Sequence, residues 1–142
     1  MKCSDLMTVN PSCCLPTDTV YQAAQLMKSE DVGSIPILND LENRRLEGIV
    51  TDRDILLQVV AENRDPNNTR VSEIMTKDVA TCRVNDEAHR ATQLMEEHQV
   101  RRIPVVNDNG QLAGIVSQAD VATRMGEPAS TAEVVKEISQ AA

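Results

Sequence analysis

Two hydroxyl side chains, Thr51 and Ser117, each stand three residues before an aspartate, Asp54 and Asp120. Each pair follows the same apolar tripeptide, Gly48-Ile49-Val50 in one place and Gly114-Ile115-Val116 in the other. The tripeptide reads as the end of a buried strand, and the polar residues after it as the first turn of a helix. Hydroxyl-x-x-acid at a helix start is the spacing of a reciprocal cap, in which the hydroxyl and the acid satisfy each other's backbone N–H, worth about 1 kcal/mol. The same geometry suits a ligand. Free N–H groups and a positive dipole at a helix start attract phosphate. The hydroxyl can hold a phosphate or ribose oxygen, and a carboxylate can accept from both hydroxyls of a ribose diol. The spacing leaves cap and ligand contact both open.

The residues around these pairs differ. Asp52-Arg53 lie inside the first junction and Gln118-Ala119 inside the second. Arg53 can reach a phosphate or can be a solvated helix residue. Arg101-Arg102 stand immediately before Ile103-Pro104, where the first half has Gly33-Ser34 before Ile35-Pro36. Adjacent arginines at the mouth of a strand make a phosphate clamp, or a surface pair with carboxylates. Pro36 and Pro104 open their strands, where a missing N–H costs nothing.

Nothing here spells catalysis. There is no GxSxG, HExxH, P-loop or Rossmann fingerprint, and no nucleophile–base spacing. His89 and His98 are nine apart, so on one helix they face opposite ways and do not form a two-histidine metal site. The cysteines are Cys3, Cys13, Cys14 and Cys82, without a C-x-x-C pair or a zinc-template spacing. They read as reduced thiols, two or three of them buried as small apolar residues.

The elements that carry the junctions are duplicated. Ser4-Asp5-Leu6-Met7-Thr8 recurs as Ser72-Glu73-Ile74-Met75-Thr76, Gln25-Leu26-Met27 as Gln93-Leu94-Met95, and Asn39-Asp40 as Asn107-Asp108. The register slips only between Asn39–Gly48 and Asn107–Gly114, where the second copy is two residues shorter. Each copy opens on a helical turn with Ser4 or Ser72 expected as N-cap. A short strand follows, near Cys13–Leu15 and Ala80–Val84. Asp18 and Asp86 are expected to cap the next helix. One apolar face comprises Val20, Ala23, Ala24 and Met27, and its counterpart Ala88, Ala91, Thr92 and Met95, with Leu94. A hairpin follows in each copy, then a second helix, over Asp52–Glu62 and Gln118–Met125. The fold class is therefore α/β (α+β), a tandem β-α-β-β-α repeat. We expect motif one over residues 4–63, a linker over 64–70, motif two over 71–126, and a C-terminal amphipathic segment over 127–142. Val134, Val135 and Ile138 form its apolar face.

Composition narrows the partners. The net charge of −8 disfavours binding to a phosphate backbone, so no nucleic-acid partner is expected. With no Phe, no Trp and one Tyr, stacking on aromatic rings is excluded as a main binding mode. No apolar run approaches the roughly 20 residues of a membrane span and no signal-peptide pattern is present, which points to a cytoplasmic protein without membrane association.

The doubled unit, with "IPILN…GIVTDRDI" and "RRIPVVN…GIVSQADV", resembles a CBS-domain pair, or Bateman module. "MEEHQVRRIPVV" is most similar to small stand-alone bacterial CBS-pair proteins, including those induced by hypoxia. The resemblance implies one pseudo-two-fold module, commonly a homodimer, whose copies pack through their sheets. It implies a non-enzymatic sensor with no required cofactor. Its regulatory ligand would be an adenosine compound, AMP, ADP, ATP, S-adenosylmethionine or NAD, bound in the cleft between the motifs. Thr51, Asp52, Arg53, Asp54, Ser117, Asp120, Arg101 and Arg102 would meet ribose and phosphate. Ile35, Pro36, Ile103 and Pro104, with the backbone near Cys13 and Ala80, would meet the base. An unidentified effector protein would read the outcome. The alternative is a redox-responsive or interaction protein using Cys13 and Cys14, its pockets empty.

Overall fold

The computed structural model describes residues 1–124, so the expected C-terminal segment with Val134, Val135 and Ile138 lies outside the described residues. The chain divides into two compact units. One is continuous, Ser12–Val79; the other joins Met1–Pro11 to the described chain from Ala80 onward. Each repeat's opening segment therefore belongs to the unit formed by the other repeat.

In the continuous unit, helix α2 (Val20–Glu30) precedes the hairpin β2 (Ser34–Leu38) and β3 (Leu46–Thr51). Ser34 pairs with Thr51 and Pro36 with Ile49, and a bulge lies between Ile37 and Leu38. The hairpin is extended on both edges by single residues. Cys14 bridges Ile37 in parallel, and Thr76 bridges Ile49 with reciprocal bonds of 2.9 Å. Val20, Ala23, Met27, Ile35, Ile37, Val50, Val59, Val71 and Ile74 form an aliphatic core. Ala24, expected on the apolar face of α2, is only half-buried.

The other unit repeats the plan with real strands. Helix α1 (Cys3–Leu6) and β1 (Thr8–Val9) come from the exchanged segment. They join β4 (Cys82–Arg83), α4 (Ala88–His98), β5 (Arg102–Val106) and β6 (Leu112–Ser117). The sheet order is β1-β6-β5-β4, with β4 parallel to β5 and the other pairs antiparallel. The β4-α4-β5 crossover buries Ala88, Ala91, Thr92, Leu94 and Met95, as the helical spacing predicts.

Local capping departs from expectation at four places. Helix α1 starts at Cys3, so Ser4 is inside it; Asp5 accepts the Lys2 N–H at 2.9 Å. The 3₁₀ turn Val71–Glu73 likewise starts before Ser72, and Glu73 accepts the Arg70 N–H at 2.7 Å. In both cases the acid reaches back to the backbone and the serine is two positions too late to cap. Asp18 and Asp86 do not cap α2 and α4, whose N-caps are Thr19 and Glu87. They fold the preceding turn instead, accepting the N–H of Leu15 and of Arg83, each at 2.8 Å. The second helix of the first repeat is also irregular: α3 (Asp52–Ile55) widens into a π-helical stretch, Leu56–Val60. Among the described residues no helix is long and apolar enough to cross a membrane.

The exchanged segments meet the hairpins at glycines. A Cβ on Gly114 would stand 2.7 Å from the Thr8 carbonyl oxygen and 2.8 Å from Met7 Sδ. On Gly48 it would stand 2.8 Å from the Thr76 carbonyl oxygen and 2.9 Å from Met75 Sδ. Backbone blocks the methyl group, so a side chain forces the edge segment outward. Gly114→Ala and Gly48→Ala are each expected to cost about 1–3 kcal/mol of stability. Urea unfolding midpoints read this directly; unchanged midpoints would show that the contact is not tight.

Candidate functional site

The junctions form as the hydroxyl–acid spacing allows. Thr51 is the N-cap of α3: its Oγ1 accepts the Asp54 N–H at 3.0 Å, and Asp54 Oδ2 accepts the Thr51 N–H at 3.0 Å. The second junction repeats this at the start of α5 (Gln118–Arg124). Ser117 Oγ accepts the Asp120 N–H at 3.1 Å, and Asp120 Oδ2 accepts the Ser117 N–H at 2.9 Å. The reciprocal cap is thus present in both copies.

The cap leaves acceptor capacity on the first acid. A carboxylate offers about four lone-pair directions. Asp54 Oδ1 takes no hydrogen bond from the described residues, and the residue is half-buried. Asp120 is more enclosed, 9% exposed, and the Thr8 hydroxyl lies 3.5 Å from each of its carboxylate oxygens. Sequence reasoning did not single out Thr8. Its signal was there, since Thr8 and Thr76 are repeat partners, but the exchange that carries Thr8 to Asp120 is not encoded in any spacing.

Each strand mouth is tied to its junction by the same bond. The Asp52 N–H donates to the Gly33 carbonyl at 2.9 Å, and the Gln118 N–H to the Arg101 carbonyl at 2.8 Å. Arg102 is registered with Ser117, so Arg101, Arg102, Ser117 and Asp120 come together in one unit. Neither arginine makes an ion pair with the described residues. In the other unit the Asp52 carboxylate occupies the space that a side chain at residue 33 would need, 3.1 Å from a Cβ there. Asp52 Oδ1 accepts the Arg53 N–H at 2.8 Å, and Arg53 is exposed. Ser34 adds a feature that sequence reasoning passed over: its hydroxyl is buried beside Thr51 and has no hydrogen-bond partner among the described residues. The first junction thus carries two carboxylates and Arg53, and the second one carboxylate, Asp120, with Arg101 and Arg102 on the neighbouring chain segment.

The remaining sequence candidates are more deeply placed. Ile35 and Ile103 are 1% and 0% exposed and belong to the cores of their own units. Pro36 and Pro104, next along each strand, are also buried, opposite Ile49 and Ile115. Cys13 and Ala80 are half-buried. A shallow groove of about 700 Å³ runs along α2 past Gln22, Gln25 and Ser29, away from the junction residues.

The thiols are unequal. Burial raises the pKa of Cys13, with Arg44 opposing the shift. Burial first, then Asp18, pushes Cys14 up to about 12. Neither is a ready thiolate at neutral pH, which weighs against a redox centre at Cys13 and Cys14.

A family model of the CBS domain matches residues 3–61 and 71–127. The chain belongs to the CBS-domain family. It is 37% identical to Hypoxic response protein 1 of Mycobacterium tuberculosis, over 88% of this chain and 85% of that protein. Among solved structures it is similar to the CBS domain protein PAE2072 from Pyrobaculum aerophilum, complexed with AMP. That match has a TM-score of 0.80 at 26% identity and covers 96% of this chain and 99% of the other. It is also similar to the CBS domain pair of protein MJ0100, in complex with 5-methylthioadenosine and S-adenosyl-L-methionine. There the TM-score is 0.76 at 25% identity, over 89% of this chain and 96% of that one. The fold is that of a CBS pair, a Bateman module, built from the two matched repeats.

Two consequences of the caps and the buried thiol can be measured in the CBS pair. Thr51→Ala removes one capping acceptor and should cost about 1 kcal/mol in chemical denaturation, with Thr51→Ser restoring most of it. Cys14 has a folded pKa of about 12 against an ordinary 9.0, so the fold prefers its protonated form. Its contribution is complete below about pH 9 and drains as pH rises towards about 12, by up to about 1.4 kcal/mol per unit. Stability measured from about pH 9 to about pH 11 should fall less steeply in Cys14→Ala than in the parent. Equal slopes would refute the assignment.

Proposed function

We propose that this CBS pair is a regulatory sensor that binds an adenosine-containing ligand at its strand-to-helix junctions and signals to a separate protein. The observation that carries this reading is the Asp54 carboxylate. It is held by the Thr51 cap through one oxygen, and its other oxygen takes no bond from the described residues. That is the acceptor a ribose diol needs, in a chain that aligns almost end to end with an AMP-bound relative.

In the proposed arrangement Thr51 and Ser117 cap their helices and contact ribose or phosphate oxygens. Asp54 and Asp120 take the ribose hydroxyls. Arg101 and Arg102 neutralise phosphate at the second junction, and Arg53 is the nearest cation at the first. Pro36 and Pro104, with backbone near Cys13 and Ala80, flank the base; Ile35 and Ile103 support them from the core. The two copies then differ in phosphate preference, because Asp52 stands where the second junction has Gln118 and Gly33-Ser34 stand where it has Arg101-Arg102.

The role is binding without catalysis, and regulation follows from differential affinity. A ligand that favours one arrangement of the module shifts its population, and a partner specific for that arrangement reads the shift. We place the protein in the cytoplasm as a homodimer.

A thermal-shift titration tests the reading. AMP at about 100 times its Kd should stabilise by about 2.7 kcal/mol, about 5–10 °C for a chain of this size. Arg102→Gln should weaken AMP more than adenosine, while Asp54→Ala should weaken both at the first junction. Absence of any shift with AMP, ADP, ATP, S-adenosylmethionine and NADH would exclude the nucleotide reading.

A further inference from the structure

Cys3 and Cys82 are far apart in sequence but neighbours in one core. They are 0% and 1% exposed and share an aliphatic cluster with Leu6, Ala91 and Met95. Backbone bonds clamp them into place. The Cys3 N–H donates to the Asp86 carbonyl at 2.8 Å and the Ser4 N–H to the Val84 carbonyl at 3.1 Å. The Cys3 thiol reaches the Glu87 carbonyl at 3.6 Å. Cys82 itself sits in β4, the strand that leads into this turn. Neither the capping geometry nor the proposed ligand contacts use either thiol.

We propose that Cys3 and Cys82 are an oxidation site at which a hydroperoxide closes an intramolecular disulfide, fastening the exchanged segment Met1–Pro11 to the unit it completes. The first step is attack by the Cys3 thiolate on the peroxide O–O bond. It forms Cys3 sulfenic acid and releases hydroxide, or an alkoxide from an organic hydroperoxide. The Cys82 sulfur then attacks the Cys3 sulfur. An S–S bond forms, the S–O bond breaks, and hydroxide leaves with the Cys82 proton as water. With hydrogen peroxide, two thiols and one peroxide give one disulfide and two waters.

Chemistry separates Cys3 from the other cysteines. A hydrogen bond from Cys82 stabilises its thiolate and lowers its pKa, outweighing burial and the charge of Asp86. Cys82 is shifted up by the same neighbour, by burial and by Asp86, so it is not the thiol that meets peroxide first, and it gives up its proton as it attacks Cys3. Cys13 and Cys14 are both raised. Entry of peroxide requires a local opening. The segment that carries Cys3 is short, a four-residue helix and a two-residue strand, and its lifting exposes that thiol. Once closed, the bond retains Met7 and Thr8 against Gly114 and Asp120. It encloses the whole Ser12–Val79 unit in its loop, the arrangement in which a crosslink restricts the unfolded chain most.

Peptide mapping tests this on the unmodified protein. After hydrogen peroxide and blocking of free thiols, cleavage before aspartate separates Cys3 from Cys13 and Cys14. The expected product links the peptide Met1–Ser4 to the peptide Asp78–Asn85, two hydrogens lighter than the sum and split by dithiothreitol. The oxidised protein should melt several degrees higher, reversibly. In Cys82→Ser, which keeps a hydrogen-bond donor beside Cys3 but no resolving sulfur, Cys3 sulfenic acid should persist and be trapped by dimedone. Recovery of Cys3 and Cys82 fully alkylated would overturn the proposal, as would Cys3 sulfinic acid without a crosslink or a disulfide only between chains.

Discussion

A methyl group has no room at Gly48 or Gly114, and the architecture of both units follows from that. Each glycine lets the backbone of a Met-Thr segment lie directly on the hairpin, with its carbonyl 2.8 or 2.7 Å from where a Cβ would be. The segment on each hairpin comes from the opening of the other repeat. A hairpin alone is marginal in water, since two strands expose too much backbone and bury too little. The Met-Thr edge on one side and the Cys82 edge on the other make the second hairpin part of a four-stranded sheet, while at the first hairpin Thr76 and Cys14 add single-residue bridges. Because the completing edge is exchanged, neither repeat finishes its own sheet.

The same economy governs the junctions. A helix that starts beside a sheet leaves N–H groups unpaired. Thr51 with Asp54 and Ser117 with Asp120 satisfy them reciprocally, fixing the carboxylate direction without using all of its acceptor capacity. An acid held rigid by a cap is preorganised for a second donor, so capping and ligand contact need not compete. The copies diverge where capping does not constrain them. Asp52, Arg53 and Asp54 stand at the first junction, and Asp120 with Arg101 and Arg102 at the second. An aliphatic core with almost no aromatic rings makes both units rely on close backbone approach rather than on bulky side chains.

Much of this was legible in the amino-acid order. The hairpins, the apolar faces of α2 and α4 and the two capping boxes all rest on spacings shorter than a dozen residues, and the repeat shows when the two sets are laid side by side. Local chemistry decides such spacings: an apolar residue every third or fourth position, an acid three residues after a hydroxyl, an Asn-Asp turn. The errors were also local. Ser4, Ser72, Asp18 and Asp86 sit one or two positions from the caps they seemed to be, because several polar residues at a helix start compete and tertiary packing chooses the phase.

What the sequence by itself determined is the duplicated unit and the chemistry of its junctions. What only the tertiary structure decided is which pieces complete which unit. Thr8 meets Asp120, and Cys3 meets Cys82, across most of the chain. No period or motif encodes those meetings. They arise because Met-Thr edges from the two repeats are nearly the same, so local energies cannot select between a repeat closing on itself and an exchanged one. The packing of whole segments makes that selection, and it exists only after the polypeptide has folded.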